Sequence, residues 1–274
     1  MPLAYGLIEP VDISLPRLPH SLDGMRVLHL SDLHIRRRSA LFSKLINQLT
    51  SIRHDLTVFT GDYMSLEGDE EVAYEVMAEI CDRLRPTHGM YGTFGNHDYD
   101  RFRELAQKLP IRWLTDEAAR CESAPIDVFG FNATKGGGPD SVKTALSAAE
   151  VFGGESAEAE ERLKIGLLHY PDHFGAAADL GADLALAGHT HGGQMRLPGG
   201  RAFHNSSTLP NEYSAGLMRH QNMMMGLTRG LGFAETPRVF EFRTFCPAQM
   251  PLYTLRRGAL PGKYEPMLEM VEKW

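Results

Sequence analysis

Five short apolar runs in this chain each stop abruptly at a cluster of glycine, aspartate, asparagine or histidine. Arg26–Ser31 stops at Asp32-Leu33-His34, Leu56–Thr60 at Gly61-Asp62, and His88–Phe94 at Gly95-Asn96-His97-Asp98. Lys164–His169 ends on its own histidine, and Asp183–Ala187 runs into Gly188-His189-Thr190-His191. Short apolar runs bounded in this way read as buried strands. Between them, Leu41, Leu45, Ile46 and Leu49 share one helical face, as do Val72, Val76, Ile80 and Leu84 behind an acidic first turn. Further helices are expected over 101–108 and 141–151, another strand over 126–131, and a loop at Gly136–Pro139. After Gly193 the spacing changes to short β-like runs at 223–225, 239–245 and 252–255. Alternating strands and helices followed by strands predict an α/β sandwich of sheets with helices outside. Residues 1–274 read as one domain, with a motif core over about 26–195 and a β-rich part over about 196–256.

Composition removes several function classes. At 43% hydrophobic and 23% charged the chain is of ordinary globular make-up, and 274 residues bury a large core without staples. A net charge of −7 disfavours extended, sequence-independent nucleic-acid binding. Cys81, Cys121 and Cys246 form no paired motif, so neither a disulfide framework nor a zinc finger is expected. No stretch reaches the ~20 apolar residues of a membrane span, and the start lacks the pattern of a signal peptide. These readings point to the cytoplasm, with peripheral membrane contact left open.

The five junctions carry the chemistry. In open α/β sheets, sites gather outside the carboxyl ends of the strands, so ligands far apart in sequence can converge there. The one-residue gaps in Asp32-Leu33-His34 and His189-Thr190-His191 put both side chains on one side of an extended chain. Carboxylate, imidazole and carboxamide without thiolate suit Mn, Fe or Zn. Asp32, His34, Asp62, Asn96, His169, His189 and His191 are too many for one ion and enough for two if a carboxylate bridges. Two metals ~3.5–4 Å apart are an arrangement suited to phosphoester hydrolysis.

The series D-x-H, G-D, G-N-H-D, H and G-H-x-H, in this order and spacing from Asp32 to His191, resembles the calcineurin-like metallophosphoesterase superfamily. The GHTHGGQ ending resembles its bacterial phosphodiesterase branch of YaeI- and YkuE-type proteins. The resemblance implies a four-layer α/β/β/α sandwich. It also implies that Asp32, His34 and His191 hold one metal, Asn96, His169 and His189 a second, and that Asp62 bridges both. His97 would be a non-ligand that assists the leaving group, with Asp98 orienting it by a hydrogen bond. A metal-bridging hydroxide would attack phosphorus without a covalent enzyme intermediate. Tyr170 after His169 departs from the small residue or asparagine common in relatives, which bears on pocket shape alone.

The expected function is a binuclear metal-dependent phosphoesterase acting on a small phosphoester, most simply a phosphodiesterase. A first alternative is a lipid-linked diphosphate pyrophosphatase of the UDP-2,3-diacylglucosamine type at a membrane surface. Arg36–Arg38 and Phe233, Val239, Phe240, Phe242, Phe245, Met250 and Leu252 could then line an acyl-chain rim, although core strands are the preferred reading of these apolar residues. The second alternative, a non-catalytic binding module, fits poorly with a complete ligand set. Met223–Met225 reads as core strand rather than a metal site.

Overall fold

The computed structural model describes residues 7–133, 140–152, 161–198, 200–233, 243–263 and 268–274. Two sheets lie face to face, and each carries helices on its outer side. The first half supplies β1 (Ile8–Leu15), β2 (Arg26–Leu30), α1 (Ala40–Leu49), β3 (Leu56–Thr60), α2 (Glu70–Arg83), β4 (Met90–Thr93), α3 (Asp100–Ala106) and β5 (Arg112–Trp113). With β12 (Met250–Arg257), its strands form a sheet of order β1-β12-β2-β3-β4-β5. The second sheet contains β6 (Glu117–Cys121), β7 (Ile126–Gly130), β8 (Leu163–Leu168), β9 (Leu184–Ala187), β10 (Gly216–His220), β11 (Met223–Leu227) and β13 (Glu269–Lys273). Its order is β13-β10-β11-β9-β8-β7-β6, with α4 (Ser141–Phe152) and α5 (Phe174–Asp179) on its outer face. The expected four-layer α/β/β/α sandwich is the observed one.

Strand pleating explains the layers, because successive side chains point to opposite faces. In β2, Val27 enters the core between the sheets, while Leu28 and Leu30 meet α1, α2 and α3. In β9, Leu184 and Leu186 face the other sheet, and Ala185 and Ala187 face the outer core beneath α4 and α5. Central strands therefore bury both faces, which is why their sequences are continuously apolar. Met223–Met225 lies in β11 and is core. Met250 and Leu252 are also core, whereas Phe245 is exposed. Phe233 is half-buried; Val239, Phe240, Phe242 and the Gly136–Pro139 loop lie outside the described residues.

Strands β2, β3, β4 and β5 are parallel to one another, as are β7, β8, β9 and β11. The carboxyl ends of β2, β3 and β4 thus open at one edge of the first sheet, and those of β8 and β9 face them from the second. β1 pairs in parallel with β12, over 240 residues later, and β12 runs antiparallel to β2. The three cysteines are buried and free. Among the described residues, no helix is long and apolar enough to cross a membrane.

Candidate metal centre

The turns that present the site are pinned to each other. The β2–β3 ladder continues past both strand ends: Asp32 N–H donates to Gly61 O (2.9 Å), His34 N–H to Asp62 O (3.0 Å) and Ile35 N–H to Tyr63 O (2.9 Å). Asp32, His34, Asp62, His189 and His191 all have positive φ, between 46° and 73°. Such backbone is unfavourable for these residue types and persists where surroundings over-determine it, commonly at functional sites. Gly61 allows a close approach, because a Cβ there would stand 2.7 Å from His169 Nδ1.

Two groups of ligand atoms result, Asp32 with His34 and His191, and Asp62 with His169 and His189. Within each group the atoms lie within 4.8 Å of one another. Each group draws on both sheets. His34 Nε2 is 3.0 Å from His191 Nε2, and His169 Nε2 is 3.1 Å from His189 Nδ1. Asn96 Oδ1 joins the second group at 2.9 Å from His169 Nε2. Asp62 Oδ2 stands between the groups, 3.5 Å from His34 Nε2 and 3.4 Å from His169 Nε2. The structure thus brings all seven residues together.

The far nitrogens are tied down, which fixes how the rings face. His169 Nδ1 donates to Thr60 O at 2.9 Å, and His189 Nε2 donates to Ser206 O at 2.8 Å. His34 Nδ1 meets Ser65 Oγ at 3.2 Å. Burial keeps His34 neutral, with its pKa lowered to about 3, and lowers His189 to about 4. It also holds His191 well below the usual range. Neutral imidazole is the form that binds a cation. Burial lowers His169 too, but Asp62 outweighs it and raises the ring to about 9. Asp62 resists the effect of its own burial and stays well below the usual carboxylate range, chiefly through His169.

Asp32 marks the clearest need for a cation. It is fully buried and raised to about 6 by burial, with the Asp62 charge adding to the shift. Oδ1 accepts from His189 N–H at 2.9 Å, whereas Oδ2 has no hydrogen-bond partner. A buried carboxylate oxygen without a partner is costly, and a bound cation would satisfy it. The donor set, two carboxylates, four imidazoles and a carboxamide, fits divalent transition metals.

His97 sits beside the groups, its ring centroid 5.1 Å from that of His34. Its N–H donates to Asp62 Oδ1 at 2.9 Å and its Nδ1 to Ser65 O at 3.0 Å. This corrects the expectation that Asp98 orients His97. The Asp98 carboxylate instead accepts from the N–H groups of Gly95 (2.7 Å), Tyr63 (2.8 Å), Asp62 (2.9 Å) and Met64 (3.5 Å). With both oxygens taken by amides, it shapes the Asp62 turn. Burial and the Asp62 charge raise Asp98 to about 7, against the pull of those amides.

Arg38 pairs with Glu79 on α2 (Nη1–Oε2 2.7 Å), and Arg36 Nε lies 3.9 Å from Asp69, so these two guanidinium groups are engaged with the α2 side of the molecule. The residue that motif reading missed is Arg243. Its half-buried guanidinium donates to the carbonyls of Gly230, Gly232 and His191 and lies 3.3 Å from His191 Nδ1. It belongs to no motif and is 52 residues beyond His191, so the sequence held no signal for it. His29 is another: buried behind the site, it bonds Thr60 Oγ1 at 2.8 Å and so braces the strand whose carbonyl holds His169.

The sequence profile of the family described as "Calcineurin-like phosphoesterase" matches residues 25–193. This chain belongs to the calcineurin-like phosphoesterase family. Relatives bear this out at modest identity. The chain is 24% identical over 253 residues to the uncharacterised metallophosphoesterase YkuE of Bacillus subtilis, covering 87% of this chain and 82% of that protein. It is 27% identical over 214 residues to phosphodiesterase YaeI of Escherichia coli, covering 76% and 75% respectively. Against the UDP-2,3-diacylglucosamine pyrophosphatase LpxG of Chlamydia trachomatis it is 22% identical over 270 residues, covering 80% and 81%. As a calcineurin-like phosphoesterase, the protein is a hydrolase of the metallophosphoesterase class.

Proposed function

We propose that this protein is a two-metal phosphodiesterase acting on small phosphoesters. The observation that carries the reading is the placement of Asp62 Oδ2 within 3.5 Å of a nitrogen from each ligand group, so that one carboxylate serves both. Asp32, His34 and His191 would hold one ion, Asn96, His169 and His189 the other, and Asp62 would be shared. Divalent metals bound there supply Lewis-acid activation of water and neutralise charge on the phosphoryl oxygens. The remaining work falls to the chain's own groups. His97 is fixed through Nδ1 by the Ser65 carbonyl, which leaves Nε2 to hold a proton for the departing oxygen. The His97 N–H, donating to Asp62 Oδ1, sets the bridging carboxylate in the same stroke.

A lipid-linked diphosphate is a second substrate reading. LpxG carries that activity in its name, and exposed Met195, Leu197 and Phe203 follow directly on the His189–His191 turn. The test is hydrolysis of an aryl phosphodiester by Mn-loaded protein beside Asp62→Ala and His97→Ala. Loss of Asp62 should abolish turnover, and loss of His97 should lower kcat by roughly 10²–10⁴-fold with metal content unchanged. Undiminished hydrolysis by Asp62→Ala would overturn the two-metal reading.

A further inference from the structure

The chain leaves the His189–His191 turn directly into a hairpin with arms 194–198 and 200–204. Leu197 N–H donates to Arg201 O (2.9 Å), Phe203 N–H donates to Met195 O (3.3 Å), and Arg196 bridges to Ala202. Burial alternates over 194–197 and over 201–203, as a pleat requires, but on the first arm the polarity is reversed. Gln194, Arg196 and Ala202 are turned inward and buried. Met195, Leu197 and Phe203 point outward and are 41%, 43% and 60% exposed. Phe245, 64% exposed, follows Thr244, which bridges to Met195.

A hairpin lying on a core in water has its polar residues outward. Here a guanidinium is spent inward, Arg196 Nε donating to Gly192 O at 2.6 Å, while large apolar side chains stand in solvent. Contiguous exposed apolar groups of this kind mark an interaction surface. The charges around them choose the partner. Residues 192–206 contain no aspartate or glutamate. Exposed Arg201 lies on the same outward period as Phe203, and the Cε of exposed Lys273 is 3.6 Å from where a Cβ on Gly200 would stand. Apolar tips among cations match the interface of a bilayer with anionic headgroups.

Both ends of the hairpin are bonded to the metal centre. Gln194 N–H donates to His191 O at 3.0 Å, and Ser206 O accepts from His189 Nε2 at 2.8 Å. We propose that the hairpin is an interfacial anchor that seats the mouth of the site on an anionic lipid surface. Such seating presents the ligand groups to phosphoesters in the headgroup layer. The anchor stands independently of the hydrolytic reading, because binding and turnover are measured apart.

Sedimentation with phosphatidylcholine vesicles containing phosphatidylglycerol tests it. The wild-type protein should pellet, and the Leu197→Ser, Phe203→Ser double variant should partition roughly tenfold less or weaker still. Because both side chains are exposed, the variant should keep its unfolding midpoint and its hydrolysis of a soluble aryl phosphodiester. Lipid binding that is lost in the variant supports the anchor even if neither protein cleaves that substrate. Equal pelleting of the two proteins, or no pelleting of the wild type, overturns it. So does a wild-type dimer in solution that ignores vesicles and is dissolved by the same substitutions, since a second copy would then cover the patch.

Discussion

Replacing Asp98 by asparagine separates two tasks that this carboxylate could perform, orienting His97 or shaping the Asp62 turn. Oδ2 accepts from Gly95 N–H at 2.7 Å and Asp62 N–H at 2.9 Å, and Oδ1 accepts from Tyr63 N–H at 2.8 Å. Asparagine retains one acceptor. With its oxygen in the place of Oδ2, its NH₂ group points at the Tyr63 N–H, donor against donor, with the Met64 N–H farther off at 3.5 Å. The flipped amide confronts the Gly95 and Asp62 N–H groups, both within 2.9 Å, and is worse. One buried amide left without a partner costs about 1–3 kcal/mol, and the bonds that survive lose their charge assistance. The expected destabilisation is therefore about 3 kcal/mol, read as a lower midpoint at unchanged slope in urea unfolding of chelator-treated protein. Since the Asp62 turn is what loosens, metal content should fall as well. His97 keeps its bond to Ser65, so turnover per bound metal should stay near wild type. An unchanged midpoint with a roughly hundredfold drop in turnover per bound metal would refute the reasoning and return Asp98 to His97.

Four further outcomes are expected. His29 is buried and neutral, its pKa lowered from 6.5 to about 3, so its contribution to stability is full above pH 6.5 and is lost as pH falls towards 3. The loss is about 1.4 kcal/mol per pH unit, and His29→Gln should remove that share of the slope in acid urea titrations; an identical slope would refute the assignment. Arg243→Leu removes a half-buried cation beside His191 and should tighten divalent metal binding by about tenfold per folded molecule, at a stability cost of about 1–3 kcal/mol, because Gly232 O loses its donor while His191 O and Gly230 O keep the N–H groups of Gln194 and Gln249. Competition with a chelating dye measures the first, and weaker binding would contradict it. A Cβ at position 188 would collide with Ser31 Oγ and Asp32 Oδ2, so Gly188→Ala should lower the melting temperature and the metal content together. Metal at a hundredfold excess over its dissociation constant should stabilise the protein by about 2.7 kcal/mol, and an unfolding curve indifferent to metal would argue against a built site.

The two-sheet architecture was legible because its central strands are buried on both faces and therefore continuously apolar. The convergence of the seven residues was legible for a related reason: each follows directly on such a strand, where parallel topology leaves its end open. What the chain did not announce lies at the margins of the sheets or depends on contacts between distant segments. β1 rests on an alternation of only three apolar residues, Val11, Ile13 and Leu15, and its partner β12 lies at the other end of the chain. β13 is an edge strand with little buried side chain, so no apolar run marks it. The family resemblance implied that Asp98 would be a partner of His97. The choice between a neighbouring imidazole and four backbone amides depends on how the Asp62 turn folds back, which no local pattern records.

Because each candidate ligand group spans the seam between the sheets, a cation bound there would act as a cross-link as well as a reagent. His34 and His191 meet over a separation of 157 residues. Closing a loop of that order with a disulfide restricts the unfolded chain by about 4–5 kcal/mol in the loop-entropy account. The three cysteines provide no such tie. Metal starvation should accordingly be felt as sliding between the two halves of the sandwich. Amides of β3 and β9, deep in the interior, would exchange with solvent faster after chelation, while those on the outer helices would change less. The ions would then be rivets for the fold as well as tools for the reaction.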